Sequence, residues 1–571
     1  MTPTTPTTQT IAAKGLSETR VSQLARLTQN SEGRLSQVAA ELGFATETEE
    51  DALRAVAETM GLQVIDLNNV RVDLSLLKHF PLRLIHRHGV FPIWEQEGSL
   101  VLATGNPFDL HALDAVSAAI GRSVLPVLAS PADLAKLIKT HLGVGAETID
   151  GLIAQQEGRD HRVEMLEEID CDGFEGAEIA QEASVVRLVN EILVEAVEAR
   201  ASDIHLETQA AGMKIRYRID GVLLKQPAPP EINRFQAAIV SRLKIMARLN
   251  IAEKRVPQDG RIRLRVSGRE IDIRVSIIPM LHGEGVVMRI LDKERMQFNL
   301  RGVGMDEDTY ATFNRLIQLP HGIMLVTGPT GSGKTTTLYS ALSEIKSEDT
   351  KIITTEDPIE YQLEGLNQIQ VHTKVGLTFA SSLRSILRHD PDVILVGEIR
   401  DLETAENAIQ AALTGHLVFS TLHTNDSAGS FMRLVDIGVE PFLVASTVAG
   451  VMAQRLVRVL CRECRQSYYP RRGELPDDFP LDECLGRGER IYRTVGCRKC
   501  RGTGYAGRSG LFELMQTNDE IRRLAGERTP SHLVKQAAQR AGMRTLRADG
   551  WAKVRRGVTS IEEVLRVTNA D

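Results

Sequence analysis

Residues 323–345 read IMLVTGPTGSGKTTTLYSALSEI. The apolar IMLV predicts a strand, and the stretch from Thr335 onward predicts a helix. Between them stands Gly328-Pro329-Thr330-Gly331-Ser332-Gly333-Lys334-Thr335, the GxxxxGK[ST] pattern in the strand–loop–helix setting that gives it meaning. Glycines there let backbone N–H groups close around phosphate oxygens. Lys334 reaches the β- and γ-phosphates, the Thr335 hydroxyl binds Mg²⁺, and the helix N-terminus adds its dipole. Thr336 completes the nucleotide-binding set. The expected substrate is ATP, and the expected chemistry is phosphoryl transfer to water or to a second substrate.

Three further runs end in polar residues. KIITTEDPIEY places Glu356 and Asp357 after the β-branched Ile352–Thr355, and Pro358 turns the chain. VILVGEIRD is a strand that ends at Gly397 and Glu398. Many ATPases carry Asp then Glu at such a strand end; here the Asp position is Gly. LVFSTL, residues 417–422, is flanked by His416 and His423. Carboxylates at the carboxyl ends of strands lie where open α/β sheets bind ligands. Such a group can orient water for attack, and a histidine there can hydrogen-bond a γ-phosphate and report its loss. Glu398, Glu356, His416 and His423 are therefore the candidate catalytic residues.

The chain has 571 residues, too many for one core, with 42% hydrophobic and 25% charged residues, ordinary for a globular protein. A net charge of −7 and only 4% aromatic residues argue against a nucleic-acid motor that works by a broad basic face and base stacking. No apolar run nears the roughly 18–20 residues that span a bilayer. The N-terminal MTPTTPTTQT has neither the basic nor the apolar region of a secretory signal. The chain is expected to be cytosolic.

Residues 1–61 read as a disordered start followed by short amphipathic helices. Residues 62–145 alternate strand and helix, as a small α/β module. Residues 146–182 form an acidic linker. In 183–300 a strongly amphipathic helix precedes ASDIHLE, MKIRYRIDGVLL, RIRLRVSG, REIDIRVSIIP and GVVMRILD, read as strands of an antiparallel sheet. Residues 301–571 alternate strand and helix, suggesting a parallel sheet with covering helices, and end in helices.

Of six cysteines, four make two CxxC pairs, Cys461/Cys464 and Cys497/Cys500, with 32 residues between them. In a cytosolic chain that spacing predicts one structural tetrahedral Zn²⁺ in a subdomain over 458–512. Cys171 and Cys484 read as unliganded. Arg455, Arg458, Arg462, Arg465, Arg471 and Arg472 make the most basic stretch, read as a solvated face, with anionic lipid or an acidic partner as the alternative.

GPTGSGKTTTLYSAL, TTEDPIEYQLEGLNQIQV, LRSILRHDPDVILVGEIRDLETA and TGHLVFSTLHTNDS resemble, in order, the Walker A, Asp box, Walker B and His box of the ATPases of type II secretion and type IV pilus assembly. The resemblance covers about residues 62–571. It implies a RecA-like P-loop domain preceded by a PAS-like α/β domain. In this family the Walker B strand ends Gly-Glu, so Gly397 fits. It implies that Glu398 sits by the metal's waters and the γ-phosphate, that Glu356 helps orient the attacking water, and that His416 and His423 couple phosphate state to subunit motion. Basic residues of the earlier domain approach the phosphates; Arg216, Arg218, Arg274 and Arg289 match. Many members carry a tetracysteine subdomain at the place of the CxxC pairs.

The implied protein is a homo-hexamer at the cytoplasmic face of an inner membrane. It would drive pseudopilus assembly in type II secretion, with type IV pilus extension as the alternative, and would bind no nucleic acid. The N-terminal helices are expected to dock the cytoplasmic domain of an inner-membrane secretion protein. Some relatives bind cyclic di-GMP through an Arg-Leu-Gly motif. Here RLSQVAAELGF has Ser36 for that Gly, and no second-messenger binding is expected.

Overall fold

The apolar runs of the second half explain its central sheet. In the computed structural model Gly322–Thr327, Ile352–Glu356, Val393–Val396 and Leu417–Leu422 are strands with every residue buried. Alternate residues feed two separate cores. Ile323, Leu325, Ile394, Val396 and Val418 lie in one, and Met324, Val326, Val393, Leu395 and Phe419 in the other. A strand covered on both faces has no solvent side, so these strands show no polar alternation, and the polar Thr354, Thr355, Glu356, Ser420 and Thr421 are buried as well.

The structure describes residues 49–142, 163–165, 183–292 and 298–569, apart from positions 68, 69, 71, 79, 82, 83, 86, 87, 97, 107, 108, 472, 474 and 487. The expected helices before residue 49, the RLSQVAAELGF segment, Cys171 and most of the acidic linker lie outside these residues. The chain divides into two compact units, Met1–Ile290 and Leu291–Asp571.

In the second unit seven strands run in the order Asn367–Gln370, Ile352–Glu356, Val393–Val396, Leu417–Leu422, Gly322–Thr327, Val448–Leu460, Tyr505–Gln516. Neighbours pair in parallel except the last two, which are antiparallel. Parallel strands place their carboxyl ends on one edge, so Thr327, Glu356, Gly397 and His423 share it. A second, smaller antiparallel pair, Gln466–Tyr468 with Ile491–Arg493, stands near a satellite core of Phe479, Cys484, Ile491 and Trp551.

The first unit holds two sheets. Val90–Gln96, Ser99–Thr104 and Val124–Leu128 form one, with helices Leu110–Ile120 and Pro131–Leu142. The other has seven strands, in the order Val163–Met165, Gln258–Val266, Arg269–Met280, Gly283–Asp292, Ala201–Gln209, Gly212–Ile219, Val222–Lys225. Its first strand comes from within the expected linker. MKIRYRIDGVLL, read as one strand, is two: Asp220 and Gly221 both take left-handed backbone (φ 49° and 85°), as a two-residue hairpin turn requires.

One face of this second sheet packs Ile204, Leu206, Ile215 and Tyr217 against the helices Ala183–Glu198 and Gln236–Met246. The alternate residues, among them Asp203, Glu207, Arg216 and Arg218, face the other way. Among the described residues no helix is long and apolar enough to cross a membrane.

Candidate active site

Gly328, Gly331 and Gly333 adopt φ of 147°, 79° and 91°, which side-chain-bearing residues rarely reach; their sequence thus sets the loop's shape. Pro329 and Thr330 are exposed at its crest. The helix Lys334–Ile345 begins at once, with Thr335 exposed and Thr336 half-buried in its first turn. Lys334 Nζ donates to Gly328 O at 2.8 Å. Ser332 is buried, and its hydroxyl has no hydrogen-bond partner. Burial pushes the Lys334 ammonium down to about 8; the Glu398 carboxylate pulls it back up and the Arg455 guanidinium pushes it further down.

Glu398 lies just beyond Val396, its side chain 13% exposed, with Arg400 on one oxygen and His423 Nε2 3.4 Å from the other. Gly397 stands at the position of the absent aspartate. A Cβ at that position would stand 3.2 Å from Thr355 O and from Phe379, and 3.4 Å from the Glu356 Cα. The neighbouring strand end crowds that position, and would have to give by a few tenths of an ångström to admit a side chain.

Glu356 differs from the expectation of a water-orienting group. It is 5% exposed and turned inward. Tyr339 Oη donates to one oxygen, and Thr354 Oγ1 (2.6 Å) and Gln368 Nε2 (3.1 Å) donate to the other. His416 is also not brought to the loop. It precedes Leu417–Leu422 while His423 follows it, and six strand residues at about 3.3 Å each separate the two by roughly 20 Å. His416 Nδ1 instead contacts Ala411 O at 2.8 Å.

Arg216 pairs with Glu207, and Arg218 and Arg289 share Asp203 at 3.5 and 3.2 Å. Arg274 lies opposite Arg261 on the neighbouring strand.

The four sulfurs of Cys461, Cys464, Cys497 and Cys500 lie within 4.8 Å of one another. Three of the Sγ–Sγ distances are 3.9, 3.8 and 3.7 Å. A metal with four sulfurs at about 2.3 Å sets edges of about 3.8 Å. Backbone N–H groups of Cys497 and Gly504 donate to Cys500 Sγ at 3.1 and 3.2 Å. Cys484 is buried in the satellite core, outside this cluster.

The basic stretch is not a uniformly solvated face. Arg458 pairs with buried Glu563 at 2.6 Å and stacks on Tyr505, Arg465 stacks on Tyr492, and Arg455 stands beside the phosphate loop. Tyr339, Gln454 and Arg455 are the residues at this site that sequence reasoning missed. Tyr339 lies on the phosphate-loop helix itself, whereas Gln454 and Arg455 come from the strand Val448–Leu460, whose approach to the loop no motif records.

Residues 178–566 match the family described as type II/IV secretion system protein. The chain belongs to that family. It is an ATPase of the α/β, RecA-like kind, and its family implies ATP and Mg²⁺. Residues 60–148 match the MshEN domain. Type II secretion system protein E of Xanthomonas campestris pv. campestris is 45% identical over 525 residues, covering 91% of each chain. The type IV pilus assembly ATPase PilB of Myxococcus xanthus is 42% identical and covers 90% of each. Among solved structures, the Yersinia pseudotuberculosis ATPase DotB shares the fold, with TM-score 0.51, 20% identity and coverage of 71% of this chain and 97% of that one.

Proposed function

We propose that this member of the family works as a homo-hexamer at the cytoplasmic face of an inner membrane, hydrolysing ATP to power pseudopilus assembly in type II secretion. The observation that carries it is the meeting of the Lys334 loop, Glu398 and His423 at one edge of a parallel sheet. The similarity of nine-tenths of the chain to a type II secretion protein supports the secretion reading.

In this reading residues 328–335 cradle the triphosphate, and Lys334 neutralises its charge. The orphan Ser332 hydroxyl suits a phosphate oxygen. The Thr335 hydroxyl would hold Mg²⁺ with Glu398 beside the ion's waters, and the ion would supply charge neutralisation at the triphosphate. Glu398 accepts the proton of the attacking water. His423, beside it, registers loss of the γ-phosphate. Glu356 braces the site by tying the phosphate-loop helix to its own strand through Tyr339. Arg216, Arg218, Arg274 and Arg289 are kept as candidate phosphate-contacting cations; Arg216 would first release Glu207, and Arg218 and Arg289 would release Asp203.

The cysteine cluster fits zinc in donor type, number and spacing, and would hold it as a closed structural site. Metal analysis should find about one zinc per chain; a Cys497→Ser protein that keeps both its metal and its melting temperature would exclude the site.

ATP turnover of the full chain, measured with and without DNA or RNA, tests the main reading. Strong nucleic-acid stimulation would sink it, and an assembled hexamer without turnover would indicate a scaffold. The similarity to PilB favours pilus extension as the second reading. Restoration of export in a strain lacking its own type II secretion ATPase, against restoration of pili in one lacking its extension ATPase, separates the two.

A further inference from the structure

Thr327, the last residue of the phosphate-loop strand, pairs with Ala453. The strand Val448–Leu460 continues beyond that point, so Gln454 and Arg455 run alongside the loop itself. Contact there is close. A Cβ on Gly328 would lie 2.5 Å from Gln454 O and 3.0 Å from an Arg455 guanidinium nitrogen, and one on Gly333 would lie 2.8 Å from Gln454 Nε2. Gln454 is buried and accepts a hydrogen bond from Thr337 Oγ1 at 2.9 Å, which fixes the strand against the first turns of the loop's helix.

Arg455 has only neutral acceptors. Its Nη1 donates to Gln454 O at 3.1 Å, and its Nη2 to Asn425 O at 2.9 Å and Asn425 Oδ1 at 3.4 Å. Among the described residues no carboxylate lies within ion-pair distance of it. Burial makes its charge costly, offset by the more distant Glu513 and Asp426. It also lowers the proton affinity of Lys334. Two cations thus crowd one end of the loop, and only Glu398 supports Lys334. Beside them, 2.8 Å from the same Gly328 Cβ position, is the buried Ser332 hydroxyl without a partner. Guanidinium has five N–H donors in a planar fork, so Arg455 retains donors beyond those its backbone and Asn425 contacts occupy.

We infer that Arg455 is a second phosphate-binding cation of the nucleotide site, donating to the triphosphate alongside Lys334. The inference rests on the reading of residues 328–335 as an ATP site. Because Arg455 also holds the carbonyl of Asn425, two residues past His423, phosphate binding at its guanidinium would reach the His423 loop directly.

The test compares full-length wild type, Arg455→Ala and Arg455→Lys for Mg-ATP affinity, adenosine affinity, turnover and nucleotide-free melting temperature. Arg455→Ala should bind ATP ~10- to 100-fold more weakly, the span of one lost charge-assisted hydrogen bond. It should leave adenosine affinity and the nucleotide-free melting temperature near wild type. Arg455→Lys, which keeps the charge and loses the fork, should fall between. ATP affinity equal to wild type in Arg455→Ala would overturn the inference, as would equal weakening of ATP and adenosine. If Arg455→Ala does not fold, Arg455→Lys decides: unchanged ATP affinity there counts against the phosphate contact. A wild type that neither binds nor hydrolyses ATP would overturn the ATP-site reading itself, and that outcome is distinct from normal wild-type turnover with indifferent variants.

Discussion

Glu356 and Glu398 end neighbouring parallel strands only one step apart in register, since Thr355 pairs with Val396. Their environments are opposite. Glu356 is sealed by Tyr339, Thr354 and Gln368, while Glu398 faces Arg400 and His423 at the edge that also carries the phosphate loop. The same residue type at equivalent strand ends is therefore proposed to serve two purposes, according to the neighbouring elements. A carboxylate whose oxygens are committed to buried donors is a brace. One with an open side toward a cationic loop is available for proton transfer.

The largest test of that contrast is Glu398→Gln. It should leave ATP affinity near wild type and cut turnover by about 10²–10⁴, the range of a lost general base. Single-turnover kinetics with equal rates in mutant and wild type would remove Glu398 from the chemistry. Tyr339→Phe should act on the other side of the comparison. Removing the hydroxyl leaves a buried carboxylate oxygen short of a donor, which costs about 1.5–3 kcal/mol of stability. Denaturant unfolding reads that loss; a drop in turnover without loss of stability would place Glu356 in the reaction instead.

The smallest effect concerns pH. Lys334 is held down to about 8, below the ordinary lysine value, chiefly by burial. Phosphate favours its charged form, so binding ATP above that pH requires proton uptake. ATP affinity should be flat below pH 8 and fall by up to about tenfold per unit above it. The sign for stability is opposite. A lysine whose folded pKa is depressed destabilises the nucleotide-free fold while it is charged, and that penalty fades as pH rises through 8 toward the unfolded value. Affinity that rises above pH 8 would contradict both the burial and the role of Lys334.

Much of the site was legible because its parts are local. The loop needs Gly328, Gly331 and Gly333 in left-handed backbone, and no distant residue alters that requirement. The two CxxC pairs encode half a metal site each, and the sulfurs do converge. The strands of the central sheet announced themselves as apolar runs because both faces are covered. What stayed hidden depends on register and on partners far along the chain. The hairpin at Asp220–Gly221 is a different miss: its Asp-Gly pair is a local turn signal that the strand reading passed over. His416 and His423 look equivalent in sequence, yet a strand's length puts them at opposite edges of the sheet. Arg455 reads as one more arginine in a basic stretch until the Thr327–Ala453 register lays its strand against the loop.

The sequence by itself determined the phosphate loop, the strand ends that carry Glu356, Glu398 and His423, and the two CxxC pairs, because short spacing and backbone conformation dictate them. Only the tertiary structure decided which glutamate faces the loop, how closely Gly397 is crowded, and that Arg455 lies beside the loop of Lys334. Each of those depends on how closely one strand end approaches another, and packing between distant segments sets that distance.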